Sequence, residues 1–162
     1  MLAKYSAEFS PKLLTMIREG YSLADLRADV LAMRTEMAQH KPPAGPLDVK
    51  LARGGLVDLE FLVHYLQLRE RTALDPDLGR AVDGLVAHGL LPAPLRAAHD
   101  LLARLLVVVR LVAPDGRYPP EASRAIVAMA CGVADWPELL AAVLAARRDI
   151  AACWHTVFGE EL

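Results

Sequence analysis

Several features that define large protein classes are scarce in this chain of 162 residues. Aromatic residues make up only 6% of it, so its core must be built mainly from leucine, alanine and valine, a composition that favours helix over sheet. The longest apolar run, residues 105–113, is interrupted by Arg110 and falls short of the ~20 residues that a membrane-spanning helix needs. The formal net charge of -2 offers no general attraction to nucleic acid. We therefore expect a cytoplasmic, all-α protein that binds neither nucleic acid nor membrane.

Cysteine is scarce too. Cys131 and Cys153 both fall inside predicted helices among apolar neighbours, and their spacing suits neither a metal site nor a disulfide framework. We expect two reduced, buried thiols and no bound metal.

Proline, glycine and capping residues divide the chain into predicted helices. Ser10 and Pro11 begin the first, and a capping-box-like pattern begins the second at Ser22 and the last at Asp135. The predicted helices cover residues 10–19, 22–40, 56–71, 75–88, 92–113, 119–132 and 135–158. Their short connections are typical of an antiparallel bundle of six to seven helices. We expect 1–46 to hold the N-terminal helices and a proline-rich connector, packed as one domain with the remainder of the bundle, 47–162.

The most specific feature is the run at residues 47–61, Leu-Asp-Val-Lys-Leu-Ala-Arg-Gly-Gly-Leu-Val-Asp-Leu-Glu-Phe. Its pattern predicts an extended segment with Asp48 and Lys50 on the same side, then a hinge at residues 54–55, then a helix from Leu56. A glycine hinge at a helix N-terminus frees backbone N–H groups where the helix dipole favours an anion. The run therefore permits a nucleotide site.

Charged residues of both signs flank the hinge. Lys50 and Arg53 would add positive charge for an anion, whereas Asp58 and Glu60 would oppose a phosphate bound directly at the helix start. The two carboxylates would suit a helix N-terminus, the outer shell of a metal or an arginine partner. From spacing alone, a plain loop hinge and an anion-binding role stay open as alternatives.

The helix predicted after the hinge is apolar around most of its circumference, apart from one narrow polar stripe. Glu60, His64, Gln67 and Arg71 follow one another at steps of four, three and four, which places them on one side of the helix. Such a stripe can face solvent or a cleft. We assign no chemistry to His64, because no second His or Cys lies at a metal-binding spacing.

Charged and aromatic residues on the later helices carry weaker signals. Arg110 stands in an apolar helix, where its stem can lie along the core with its head in water, or it can pair with a buried carboxylate such as Asp100 or Asp58. On the last helix, we expect Arg147, Arg148 and Trp154 to cover an edge of the bundle rather than to bind a ligand.

The run at 47–61 resembles the signature that links the catalytic and helical domains of glutamine synthetase adenylyltransferases. These nucleotidyltransferases add AMP to, or remove it from, a tyrosine of glutamine synthetase. The shared pattern is Asp-x-Lys-x-x-x-Gly-Gly-x-x-Asp-x-Glu-Phe, matched here by Asp48, Lys50, Gly54, Gly55, Asp58, Glu60 and Phe61, and less firmly by Gln67. With lower specificity the resemblance extends to Met33-Arg34 and to the helices that end near Phe158.

The resemblance implies that the chain is the helical, cleft-closing part of such an enzyme. ATP and magnesium would serve the intact enzyme. Nucleotide binding is implied for Lys50, Arg53, Gly54 and Gly55. Bracing of the site is implied for Asp48, Asp58 and Glu60. The family's paired-aspartate segment, Gly-Ser-x-x-Asp-x-Asp, which holds two magnesium ions, is absent from the sequence, and so is its second helical signature. We expect the C-terminal, adenylylating copy of the helical domain, with no catalytic residue and no activity of its own.

The resemblance also implies partners. These are the nucleotidyltransferase domain of the same polypeptide, glutamine synthetase and a PII-type regulator. An alternative function is a helical interaction module that docks glutamine synthetase or a nitrogen-signalling regulator without touching a nucleotide.

Overall fold

A computed structural model describes residues 22–113 and 117–162. These residues form six helices and no strand, which confirms the predicted all-α bundle. In chain order the helices are α1 (Leu23–His40), α2 (Leu56–Glu70), α3 (Leu78–Ala87), α4 (Pro94–Val112), α5 (Glu121–Ala130) and α6 (Trp136–Phe158). The helix predicted over 10–19 lies outside the described residues. Within the described part of the chain, no helix is both long and apolar enough to cross a membrane.

Two helices begin where their capping residues predict. Ser22 precedes α1, and its hydroxyl accepts a hydrogen bond from the backbone N–H of Asp25 at 3.1 Å. Asp135 caps α6 by accepting from the N–H of Glu138 at 2.8 Å, while the Glu138 carboxylate accepts from the N–H of Ala134 at 2.8 Å. This reciprocal pair satisfies backbone donors that the first turn of a helix leaves without intrahelical partners.

The start of α3 differs from the sequence prediction. The helix begins at Leu78 rather than near residue 75, because Asp77 is the residue that caps it, accepting from the N–H of Arg80 at 2.9 Å. Asp75 lies in the preceding turn and holds the Arg80 guanidinium with both carboxylate oxygens, at 2.9 and 3.0 Å. The first aspartate therefore serves the turn and the second serves the helix.

Helix α2 lies at the centre of the bundle, as its apolar circumference predicts. Leu59, Leu62, Val63 and Leu66 are fully buried. The helix contacts four others, α1, α3, α4 and α6. Burial of each such side chain stabilises the fold by about 1.5 to 3 kcal/mol relative to exposure.

An aromatic cluster joins α2 to α6. The ring of Phe158 lies between those of Tyr65 and Trp154, with centroid distances of 4.7 and 4.3 Å. Trp154 is only 1% exposed, so the prediction that it covers an edge of the bundle is wrong. The cause is the position of α6, which packs against α2 as well as α4 and α5 and so encloses the indole.

The two cysteines are free, buried thiols, as expected. Burial raises the pKa of the Cys131 thiol, and it raises that of Cys153 to about 11. Because the thiolate is the nucleophile, a raised pKa lowers the reactivity of both thiols, and the two side chains pack as core residues.

The two open interpretations of Arg110 are also resolved. Arg110 is exposed on α4. Its two candidate partners are occupied, since Asp58 pairs with Arg34 and Asp100 with Arg96, the latter at 2.8 Å. The stem of Arg110 therefore follows the bundle surface with its charge in water, and no buried pair forms.

Candidate functional site

Residues 47–55 fold into a succession of tight turns that lead directly into α2. We call these turns, together with the first three residues of the helix, the corner (residues 47–58). The predicted extended backbone is wrong, because the N–H of Ala52 bonds back to the carbonyl of Asp48 at 3.1 Å. The alternation of burial is nevertheless present. Leu47 and Val49 are only 2% and 1% exposed, whereas Lys50 is exposed. Apolar anchors on alternate residues thus hold the turns against the core.

Asp48 organises the first part of the corner. Its carboxylate accepts three backbone hydrogen bonds, from the N–H groups of Ala44 at 2.9 Å, Lys50 at 3.2 Å and Leu51 at 3.0 Å. An aspartate that bonds to the backbone two and three residues ahead holds a turn closed. Asp48 therefore fixes the backbone conformation at Lys50, whose side chain extends from the bundle.

The hinge glycines are buried, and their backbone donors are occupied. The N–H of Gly54 donates to the Asp58 carboxylate at 2.6 Å, and the N–H of Gly55 donates to the carbonyl of Ala52 at 2.8 Å. Neither amide is free to bind a ligand in this conformation.

The first amides of α2 are occupied as well. The N–H of Leu56 donates to the carbonyl of Val49 at 2.9 Å, and that of Val57 donates to the carbonyl of Lys50 at 3.1 Å. The prediction that the hinge frees N–H groups for an anion is therefore wrong. The corner folds back over its own helix start, so its carbonyls fill the place where an anion would bind.

Glycine is required at position 54 for two reasons. Its backbone has a φ of +71°, in the left-handed region that favours glycine. A Cβ atom there would lie 2.2 Å from the carbonyl oxygen of Arg147 on α6. The Arg147 guanidinium in turn donates from Nε to the carbonyl of Arg53 at 2.8 Å. The corner and α6 are therefore in direct backbone contact.

A buried ion pair secures the corner to α1. Asp58 is completely buried, and its carboxylate accepts from the Nε and a terminal nitrogen of Arg34, whose side chain is 11% exposed. The same carboxylate receives the N–H of Gly54, and Arg34 also reaches the carbonyl of Leu51 at 3.5 Å. Every oxygen of the buried carboxylate thus has a donor, as burial of a charge demands.

The predicted site residues divide into two groups. Asp48, Asp58 and the two glycines are brought together as the frame of the corner. Lys50, Arg53 and Glu60 are exposed at its outer side. Lys50 borders a surface pocket whose lining does not include Arg53. Nucleotide contact by Lys50 and Arg53 stays a prediction, and so does bracing of the site by Glu60.

The residues of the polar stripe on α2 differ in their environment, since one is buried and the others are exposed. Gln67 is buried and donates to the carbonyls of Ala73 at 2.6 Å and Asp75 at 3.3 Å, so it holds the turn between α2 and α3. Arg71 ends the helix in a left-handed conformation, with a φ of 53°. Glu60 and His64 form an exposed polar surface in the N-terminal half of the stripe, and Arg71 is exposed at its other end.

Glu60 and His64 form a coupled pair on that surface. Glu60 Oε1 lies 3.9 Å from His64 Nε2, and His64 Nδ1 lies 3.0 Å from the side-chain oxygen of Gln67. The interaction with Glu60 raises the pKa of His64 above its usual 6.5, outweighing burial, and the Gln67 hydrogen bond acts in the same direction. The reciprocal interaction with His64 lowers the pKa of Glu60, with a further contribution from the charge of Lys50.

Sequence reasoning missed Arg34 and Arg147 as partners of the corner. A carboxylate three residues into an apolar helix demands a cation, so a partner for Asp58 could be expected. Which arginine pairs with Asp58 depends on the packing of α1 against α2, and no local sequence pattern identifies that arginine. The contact of Arg147 depends on α6, which lies 94 residues from its partner Arg53.

Fold and site together define an all-α domain whose central helix starts from a buried Gly-Gly corner, braced by an arginine–aspartate pair. The family model described as GlnD PII-uridylyltransferase matches residues 25–158. This chain therefore belongs to that family.

The curated relatives carry a different name, bifunctional glutamine synthetase adenylyltransferase/adenylyl-removing enzyme. The protein of that name from Caulobacter vibrioides is 34% identical over 80% of this chain, and the one from Agrobacterium fabrum is 31% identical over 77%. A Rhodopseudomonas palustris relative is 29% identical over 95% of it. The match spans only 14%, 14% and 17% of these relatives' own lengths. The resemblance to glutamine synthetase adenylyltransferases is thereby confirmed.

The close approach at Gly54 can be tested against a second glycine. Gly54→Ala should lower the free energy of unfolding by about 2 to 5 kcal/mol, since it combines left-handed strain with a backbone overlap. Gly89 has nearly the same φ, +70°, but nothing lies within 4 Å of its missing Cβ. Gly89→Ala should therefore cost only about 1 to 2 kcal/mol. Urea unfolding measures both, and equal losses would contradict the contact between corner and α6.

The buried ion pair gives a second comparison. Asp58→Asn should destabilise the fold by about 3 to 5 kcal/mol, because it leaves the Arg34 charge buried without a counterion. Asp100→Asn breaks a half-exposed pair with Arg96, whose side chains are 38% and 45% exposed, and should cost less than about 1 kcal/mol. Adding Arg34→Met to Asp58→Asn should recover part of the loss. A loss at Asp58 as small as that at Asp100 in urea unfolding would refute the bracing role.

The Glu60–His64 pair predicts a pH dependence. Since the folded pKa of His64 is raised, its stabilising effect is present below the unfolded value of 6.5 and is lost as pH rises through the folded pKa. Glu60→Gln should lower the His64 pKa, followed by NMR titration of the ring protons. Glu121→Gln, at the start of α5, is the matched control and should leave the titration unchanged. An unaltered His64 titration in Glu60→Gln would show that the pair is uncoupled.

Proposed function

We propose that this chain is the helical part of a bifunctional glutamine synthetase adenylyltransferase/adenylyl-removing enzyme. In the longer polypeptide it would lie beside a nucleotidyltransferase domain and close one wall of its cleft. The observation that carries the proposal is the similarity to enzymes of this name along most of the chain, including the run that forms the corner. The transferred group would be AMP, delivered from magnesium-bound ATP to a tyrosine of glutamine synthetase. The metal-binding carboxylates would come from elsewhere in the polypeptide.

The rigidity of the corner supports a role as a cleft wall. A group that stabilises developing charge acts best when it is already in place, so that no reorganisation accompanies the reaction. The corner is attached to α1 through Arg34 and to α6 through Arg147, and Asp48 closes its first turn. Such a frame would hold in place the backbone from which the exposed side chains of Lys50 and Arg53 extend.

The internal hydrogen bonds of the corner limit which of its groups could contact the nucleotide. Because the amides of Gly54 and Gly55 are occupied, any contact to the triphosphate would come from the cationic side chains instead. Lys50 and Arg53 would steady negative charge on the nucleotide, acting neither as nucleophile nor as base.

Exposed apolar side chains support contact with further protein. Val107 and Leu111 on α4 are 59% and 80% exposed, and Ile126 and Met129 on the neighbouring α5 are 61% and 70% exposed. The two helices pack together. The two residues on α4 are four positions apart and the two on α5 are three apart, so each pair lies on one face of its helix. Grouped exposed apolar side chains mark protein contacts more often than scattered single residues do. In the longer polypeptide another domain would cover it. In the alternative function, glutamine synthetase or a nitrogen-signalling regulator would do so.

Substitution of the two cations in the full-length enzyme tests the proposal. Lys50→Ala and Arg53→Ala should each raise the KM for ATP about tenfold, the effect of losing one charge-assisted contact, and should lower kcat/KM accordingly. The measurement is steady-state adenylylation of glutamine synthetase at varied ATP concentration.

Arg148→Ala is the matched control, since Arg148 is an exposed cation on α6. It should leave KM and kcat unchanged. Normal ATP dependence in both variants would refute the assignment of Lys50 and Arg53. Retention of glutamine synthetase by the present chain alone in a pull-down, together with that result, would favour the interaction module.

A further inference from the structure

A pocket of about 320 Å³ opens between the end of α1, the segment that leads into the corner, and the last turns of α4. Its lining divides into an apolar part and a charged part. The principal apolar residues are Met37, Leu47, Leu106, Val109 and Ala113. Of these, Leu47, Val109 and Ala113 are buried and form the floor. The charged residues are Lys41, Lys50, Arg110 and Asp48.

The positive charges of the pocket have no close counterions. The side chains of Lys41, Lys50 and Arg110 make no hydrogen bond or ion pair with the described residues, and all three are exposed. Only the more distant Glu60 carboxylate interacts electrostatically with Lys50. The one carboxylate in the lining, that of Asp48, is occupied by three backbone N–H groups. The pocket therefore contains three cations without ion-pair partners and one carboxylate whose oxygens already accept backbone hydrogen bonds.

Two of the three cations lie at helix C-termini. Lys41 caps α1 and Arg110 lies in the last turn of α4, where positive charge offsets the helix dipole. Each helix end carries only about half a negative charge. Among the lining residues, three cations against one carboxylate leave two positive charges, and the two helix ends reduce this to about one; Glu60 lies outside the lining. Compensation of the dipoles thus leaves a net positive pocket.

We propose that this pocket binds a small organic phosphate. The phosphate would lie among Lys41, Lys50 and Arg110, and the apolar body of the ligand would rest on the floor of Leu47 and Val109. A dianionic phosphate matches three cations in one pocket better than a carboxylate does, because it offers more charge and more acceptor oxygens to the same donors. The pocket volume falls at the lower end of the range for small-molecule sites. Lys50 is also one of the two cations that the proposed function places at the ATP triphosphate. Lys41 and Arg110 belong to the pocket alone, so substitutions at these two residues test the pocket and can fail while the proposed function stands.

Binding of three simple probes to the chain tests the inference. Phenyl phosphate carries both the anion and the apolar body, inorganic phosphate carries only the anion, and benzoate replaces the phosphate by a carboxylate. Calorimetry should show saturable binding of phenyl phosphate, at least several-fold tighter than that of the other two. In ¹H–¹⁵N NMR spectra, the amide signals of Lys41, Leu51 and Arg110 should shift with the same dissociation constant.

Charge-removing substitutions locate the bound anion. Lys41→Gln and Arg110→Gln should each weaken phenyl phosphate binding about tenfold, and thermal unfolding should show that both variants remain folded, since both side chains are exposed. Arg148→Gln removes an exposed cation from α6, outside the pocket lining, and should leave the affinity unchanged.

Three results would overturn the inference. They are the absence of saturable phenyl phosphate binding, an equal loss of affinity in Arg148→Gln and the pocket variants, and equal affinities for phenyl phosphate and either of the other probes. The first would remove the site, the second would reduce it to general charge attraction, and the third would reject an organic phosphate as its ligand.

Discussion

The buried pair of Arg34 and Asp58 is the interaction on which the candidate site depends. A carboxylate with no exposed surface is tolerated only because the guanidinium and the N–H of Gly54 occupy its oxygens. One charge thus joins α1, the corner and the start of α2. Removing it would release the hinge and also disturb the position of the central helix. The corner is therefore held by polar contacts, while the rest of the bundle is held by burial of leucine and valine.

This arrangement separates the residues of the signature run by role. Asp48, Asp58 and the hinge glycines direct their polar groups inward and form the frame. Lys50 and Arg53 project from that frame, where they are available to something outside the described residues. A motif that reads as a single ligand-binding element in sequence is thus mainly a device for shaping the backbone. The role of the exposed cations depends on the surface that they border. For Lys50 this includes the pocket lined also by residues of α1 and α4.

The helices could be predicted from sequence because their signals are local. Capping at Ser22 and Asp135 and the apolar circumference of α2 depend on residues a few positions apart. The conformation of the corner could not be predicted in this way. The sequence pattern shows amides at a hinge, but it does not show whether a ligand or the carbonyls of the corner itself accept their hydrogen bonds. The burial of Trp154 was missed for a related reason. Whether a residue lies at an edge or in the core depends on which helices arrive from elsewhere in the chain.

The contact between Arg53 and Arg147 also bears on the order in which the protein can form during synthesis. The two residues are 94 positions apart, so the corner has emerged from the ribosome long before α6 exists. Until then the carbonyl of Arg53 lacks the guanidinium that covers it, and Tyr65 lacks Phe158, the aromatic neighbour that completes its cluster. Translation runs at about 5 to 20 residues per second, so this wait lasts some seconds. The nascent N-terminal helices must stay unaggregated through that interval, with their apolar faces only partly covered.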